Sequence, residues 1–194
     1  MLKNHKVIRL VDLLETEDGE SFYKTLTANF SSTNKDVESF LKEKAVQSVK
    51  LCTSSTYLVI SKDNPNDLLG YFSLATKVLT LKKLFLSKST EKIIKRYGYY
   101  DDDSDSYKIP AILIAQFGKN YSEKSESIQG SILMSIALQQ IKTILSFSSG
   151  KTAFLECEKK QALIEFYKNH NFIILDNEIL SKNHKELIQM YRLV

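Results

Sequence analysis

The feature that most constrains this chain lies in residues 109–175, where three apolar runs of strand length alternate with two segments of helical periodicity. IPAILIAQF is almost continuously apolar, the pattern of a strand covered on both faces. A Ser-rich loop, GKNYSEKSESIQG, follows and ends in Gly130. Next, Ile132, Leu133, Ile136, Ala137, Ile141, Ile144 and Leu145 form a wide helical stripe, with Gly150 placed to stop the helix. TAFLECE reads as a second strand, the segment around FYKNHNF as a short helix, and FIIL as a third strand. Strand, long helix and strand predict a βαβ unit with a right-handed crossover. This order puts a helix N-terminus just past a buried strand, where unpaired N–H groups and the helix dipole favour an anion such as a phosphate. The same stretch holds Tyr167, a candidate proton donor that could equally be a core aromatic.

Upstream, residues 7–14 are apolar and short, as expected of a first strand. Thr33-Asn34-Lys35-Asp36 has the form of an N-cap, and Val37, Phe40, Leu41, Ala45 and Val49 recur behind it at helical spacing. Residues 57–61 (YLVIS) and 69–81 (LGYFSLATKVLTL) flank NPND and predict an antiparallel hairpin. The fold class is therefore α/β, or α+β with a mixed sheet. Residues 82–108 have a different character. Lys82, Lys83, Lys88, Lys92, Lys95 and Arg96 make the first part basic, with Ser89-Thr90 as a cap, and DDDSDS makes a mobile, solvated loop. Tyr97, Tyr99 and Tyr100 beside the basic part could stack on nucleic-acid bases, although a solvated surface helix explains the same residues.

A chain of 194 residues is expected to form one domain with a core that needs neither disulfide nor metal. The net charge of +4 admits an anionic ligand without selecting nucleic acid. Lys6, Arg9 and Asp12 interrupt the N-terminal apolar residues, so no secretory segment is expected, and no run is long enough to span a bilayer. A cytoplasmic protein with no membrane partner follows. Cys52 and Cys157 sit beside apolar residues outside any C-x-x-C pair and are expected to be buried thiols. His5, His170 and His184 are scattered, and no metal is assigned.

The strand IPAILIAQF, the helix start Gly130-Ser131-Ile132-Leu133-Met134, the strand TAFLECE and above all LIEFYKNHNF resemble the GNAT superfamily of acetyl-CoA-dependent N-acetyltransferases. In that family a short helix carries an aromatic-tyrosine pair and leads through Gly-Phe into a strand. Phe166-Tyr167 and Asn171-Phe172 keep the spacing with Asn in place of Gly, and Asn is the side chain that best tolerates a left-handed helix end. The family's phosphate loop reads Gln or Arg, two residues, Gly, one residue, then Gly or Ala. Here Ser125 and Ile128 stand at the first two of those positions, and only Gly130 is kept. Lys160, next to Lys159, stands where an asparagine often contacts the pantetheine arm; two lysines at a helix start oppose the dipole unless an anion lies near.

The resemblance implies a single acetyltransferase-like domain over residues 1–194, with a variable insertion at about residues 82–108. It implies a mostly antiparallel mixed sheet flanked by helices, with a splayed parallel pair at residues 111–117 and 152–158 that receives acetyl-CoA. The implied cofactor contacts are Ala115, Gln116 and Phe117 on the strand, Ile128, Gln129, Gly130, Ser131 and Ile132 at the helix start, and Lys160. Tyr167 aligns with the tyrosine that protonates the departing thiolate. Glu156 and Glu158, on one face of the second strand by alternation, are the candidate bases, and pairing with a nearby lysine is the competing account.

Phe30, the helix DVESFLKEKA, then TYLVI and LLGYFSLA are similar to the toxin-type branch, whose members acetylate the amino group of aminoacyl-tRNA. The expected acceptor is a primary amine on a small molecule, a peptide or an aminoacyl-tRNA, and a homodimer is admitted. The altered phosphate loop keeps a second function open: a degenerate GNAT domain that binds CoA or a protein without catalysis.

Overall fold

The computed structural model describes residues 4–180 and 186–194, with 176–180 described through their backbone alone, so His184 lies outside the described residues. In chain order the elements are β1 (His5–Arg9), α1 (Leu10–Leu14), α2 (Gly19–Ala28), α3 (Lys35–Ser39), a π-helical turn (Phe40–Lys44), α4 (Ala45–Lys50), β2 (Ser55–Ser61) and β3 (Leu68–Lys82). There follow a 3-10 turn (Lys83–Phe85), α5 (Lys88–Ile94), β4 (Tyr99–Asp101), β5 (Ser106–Lys119), α6 (Gly130–Phe147), β6 (Thr152–Glu158), α7 (Gln161–Lys168), β7 (Ile173–Leu180) and β8 (Glu186–Leu193).

Hydrogen bonding orders the strands β1-β2-β3-β5-β6-β8-β7, with β4 on β5. The β5–β6 pair is parallel, whereas β1–β2, β2–β3, β4–β5, β6–β8 and β7–β8 are antiparallel. This is the mixed, mostly antiparallel sheet read from the sequence, with α6 as the βαβ crossover. Contacts divide the chain into two compact units, Met1–Ala75 with Ala115–Ala137 and Thr76–Ile114 with Leu138–Val194.

In the first unit, the strand expected at residues 7–14 ends at Arg9. Leu10, Leu13 and Leu14 have the i, i+3, i+4 spacing of a helix and join the core from α1, Leu10 being fully buried. The sequence reading passes over α2, whose Tyr23 and Leu26 are buried in the same cluster as Phe30 and Leu41. The next helix is capped by Asn34, not Thr33: the Asn34 side chain accepts the Asp36 N–H at 3.0 Å. Tyrosines from two other elements brace the π-helical region. Tyr23 donates its hydroxyl to the Leu41 carbonyl, and Tyr71 donates to the Val37 carbonyl at 2.6 Å.

The β2–β3 hairpin forms as expected, with Tyr57 opposite Phe72 and their rings stacked at 5.0 Å. Two glycines permit close packing here. A Cβ on Gly70 would stand 2.9 Å from the Gly118 carbonyl oxygen and 3.0 Å from Leu133, and one on Gly118 would stand 2.5 Å from Val37.

In the second unit, Leu79, Leu81, Tyr107, Ile109, Phe154, Leu175 and Tyr191 form the core. Ser87 caps α5 by accepting the Thr90 N–H at 3.1 Å, two residues before the expected Ser89-Thr90. DDDSDS is solvated as expected through 102–105 and forms the turn of the β4–β5 hairpin, tied by side-chain hydrogen bonds. Ser104 donates to Asp101 at 2.6 Å, Tyr100 donates to Asp105, and Tyr100 lies opposite Tyr107 with ring centroids 5.0 Å apart. Cross-strand aromatic pairing supplies the order that composition alone does not show.

The tail beyond β7 holds β8, which inserts between β6 and β7 and pairs with β6 along Thr152–Glu158. Cys157 is buried as expected, but Cys52 is exposed. It takes the left-handed position that closes α4 (φ 54°), where the chain leaves the helix and the side chain turns outward.

Candidate functional site

The start of α6 belongs to the first unit. The loop before it is held by side-chain hydrogen bonds in place of the family's small residues. Asn120 donates to the Leu68 carbonyl at 2.8 Å and accepts the N–H groups of Ser31 and Ser122 at 3.1 and 3.0 Å. Ser125, at the position of the family's Gln or Arg, donates to the same Leu68 carbonyl at 3.0 Å. The buried Asp67 carboxylate accepts the Glu126 N–H at 2.7 Å.

Ile128 is buried, Gln129 and Ser131 are exposed, and Gly130 opens the 18-residue helix. The N–H groups of Ile132 and Leu133 both close onto the Gln129 carbonyl, at 3.0 and 3.1 Å. The outermost amides of α6 are thus those before Ile132, a preformed positive end. Ala115, Gln116 and Phe117, on the last part of β5, are half-buried.

The second unit carries the rest. The parallel ladder runs from Ala111↔Thr152 to Ile114↔Leu155, while β5 continues to Lys119 and β6 to Glu158. Glu156 is the first β6 residue past that ladder. Its carboxylate is exposed and accepts the Gln189 carboxamide N–H at 3.3 Å from the opposite position on β8. Glu158 is different: the Lys160 ammonium lies 2.5 Å from it, the lysine pairing anticipated as the competing account. That carboxylate is the anion which relieves Lys160 at the start of α7, and Lys159 pairs with Glu186 at 3.7 Å.

On α7, Ile164 and Tyr167 are buried. The helix closes through Asn171 in the left-handed conformation (φ 60°), with Asn171 N–H donating to the Lys168 carbonyl at 2.8 Å and Phe172 N–H to the Tyr167 carbonyl at 3.1 Å. This paired closure needs a left-handed residue where the family carries Gly, and Asn supplies it. It also packs Tyr167 edge-on between Phe166 (5.2 Å) and Phe172 (6.0 Å).

Tyr167 is 8% exposed. Burial, and then the neighbouring Cys157, push its pKa upward, so the phenol is a neutral donor at physiological pH. Cys157 is itself pushed up to about 11 by burial and then by Glu158, which leaves it a protonated, inert thiol. Gln189 was beyond sequence reasoning because β8 shows no alternation: Ile188, Gln189, Met190 and Tyr191 are buried in succession on a strand flanked on both sides.

Among the described residues, no His, Cys, Asp and Glu cluster could hold a metal, and no helix is long and apolar enough to cross a membrane. No family model and no curated protein matches this sequence. Solved structures do. A tyrosine-to-phenylalanine mutant of KacT superposes with a TM-score of 0.67 at 17% identity, over 97% of this chain and 95% of that one. AtaT complexed with acetyl-methionyl-tRNAfMet gives a TM-score of 0.67 at 16% identity, over 97% and 94%. AtaTR bound with acetyl-CoA gives 0.59 at 14%, over 98% and 93%. At such identity, agreement over nearly the whole length is agreement of backbone topology. The chain has the fold of KacT and AtaT, a mostly antiparallel mixed sheet with one parallel pair and flanking helices.

Proposed function

We propose that this chain is an acetyltransferase that moves the acetyl group of acetyl-CoA to a primary amine. The observation that carries this reading is Tyr167: a buried phenol, kept neutral by its surroundings, on the helix that follows β6. It lies on a fold whose solved examples include AtaT complexes with acetyl-CoA and with acetyl-methionyl-tRNAfMet. On this reading the amine nitrogen attacks the thioester carbonyl and the C–S bond breaks. Tyr167 gives its proton to the departing thiolate, and Glu156 takes the proton shed by the amine nitrogen.

Alternation supports this division of labour. Glu156 and Cys157 point to opposite faces of β6, and Tyr167 interacts with Cys157. On this reading acid and base approach one thioester from two sides, beyond the end of the parallel ladder, one residue before Glu156. Ala115, Gln116 and Phe117 are assigned to the pantetheine arm. Ile128, Gln129, Gly130, Ser131 and Ile132 are assigned to the pyrophosphate through the positive end of α6; Lys160, engaged by Glu158, is left out of that assignment.

The whole chain acts as one cytoplasmic domain in which residues 82–108 are an insertion. The acceptor favoured by the AtaT complex is an aminoacyl-tRNA, ahead of a small amine or a peptide. The test is thiol release from acetyl-CoA with a panel of amines and aminoacyl-tRNAs, beside calorimetric binding of acetyl-CoA. Binding with thiol release supports the reading, and binding without release from any acceptor returns the chain to a degenerate CoA-binding domain.

A further inference from the structure

We propose that Gln189 is the positioning residue of the acceptor-side base: its carboxamide holds one oxygen of Glu156 and leaves the other turned to the amine. The inference rests on the acetyltransferase reading, in which Glu156 takes the amine's proton. Gln189 stands directly opposite Glu156 on β8, is 6% exposed, and donates Nε2–H to Glu156 Oε1 at 3.3 Å. Among the described residues, its own Oε1 is buried without a hydrogen-bond partner. A buried amide oxygen left unpaired is unfavourable, and turning the amide over would place the NH2 group at that position instead. That turn does not occur because it would set the amide oxygen against the Glu156 carboxylate, and two acceptors repel. The side chain is thus held in an orientation that serves Glu156 at the expense of its own oxygen.

The surroundings favour a neutral positioning group over an ion pair. Glu158, the other carboxylate on this face of β6, is occupied by Lys160, and Glu186 on β8 is occupied by Lys159. Tyr191, two residues along β8 from Gln189, is buried in the core with its pKa raised by that burial. No described cation pairs with Glu156. A lysine or arginine in the place of Gln189 would hold the carboxylate charged and weaken it as a base; an amide fixes its direction at lower cost in basicity.

The test compares wild type, Gln189→Met and Gln189→Glu, each checked for a retained melting transition. Thiol release is measured across pH with methionine methyl ester, spermidine, a peptide with a free N-terminus and methionyl-tRNA, and acetyl-CoA binding is measured by calorimetry. Gln189→Met removes the hydrogen bond to the carboxylate. It is expected to lower kcat about tenfold or more with an unchanged acetyl-CoA Kd, and to move the acidic limb of kcat/KM to higher pH. Gln189→Glu faces two carboxylates at one register position and should move that limb further.

A merely structural role would lower the melting temperature and activity without moving the limb. A limb at the wild-type pH in either folded variant overturns the proposal, as does a loss of acetyl-CoA affinity that matches the loss of turnover. Failure of the wild type to bind acetyl-CoA, or to release thiol with any of these acceptors, overturns the acetyltransferase reading and this inference with it.

Discussion

The loop before α6 and the turn after α7 differ in how closely they match the GNAT pattern that the sequence resembles. The turn keeps its residue types: Phe166-Tyr167 and Asn171-Phe172 stand at the family spacing, with Asn171 in the left-handed conformation at φ 60°. The loop keeps only Gly130, yet it is fastened by Asn120, Ser125 and Asp67. A backbone contact depends on where the chain runs, so many residue sets can supply it if other bonds fix the path. A left-handed helix end needs a particular side chain, or the lack of one, and so would a proton donor; fewer residue types can serve at such positions.

The largest expected effect is at the turn. Tyr167→Phe should lower kcat by about 10² to 10⁴, the usual share of general acid catalysis, while the acetyl-CoA Kd measured by calorimetry stays within about twofold. Equal loss in both would mean that the ring only packs and would remove the contrast between the two regions. At the loop, Asp67→Ala deprives the Glu126 N–H of its partner. It should cost about 1–3 kcal/mol in chemical denaturation and weaken acetyl-CoA binding, with kcat at saturation little changed. An unchanged Kd would show that the fastened loop is not the phosphate end of the site.

The smallest effect belongs to the helix closure. Asn171→Val should destabilise by about 1–2 kcal/mol, because a β-branched residue resists the left-handed region. Asn171→Gly, the family residue, should lie within about 0.5 kcal/mol of wild type in the same melts. If valine and glycine behave alike, the positive φ does not govern this position.

Pattern made part of the fold legible. The β2–β3 hairpin, α6, β6 and α7 each bury one stripe or one continuous run, and periodicity reports that directly. α2 escaped because its buried Tyr23 and Leu26 are spread among polar residues, and β8 escaped because it is enclosed on both sides and carries Gln189 and Arg192 among its apolar residues. The acidic turn was legible only in part because composition records solvation but not the partners Asp101 and Asp105 find on the neighbouring strands. In the candidate site, the helix and the strand that carry Tyr167 and Glu156 could be read from local spacing. The hydrogen bond from Gln189 could not, since it joins residues 33 positions apart through a strand order that neither segment encodes alone.

By itself, the sequence determined the βαβ unit, the antiparallel hairpin, the aromatic-tyrosine helix and its left-handed end, because each follows from periodicity or backbone preference within a few residues. The tertiary structure decided which glutamate is engaged by lysine and which faces a neutral amide, that Tyr167 is a buried, neutral phenol, and that side-chain clamps hold the loop before α6. Those outcomes depend on burial and on partners distant in sequence. Only the folded sheet brings them together.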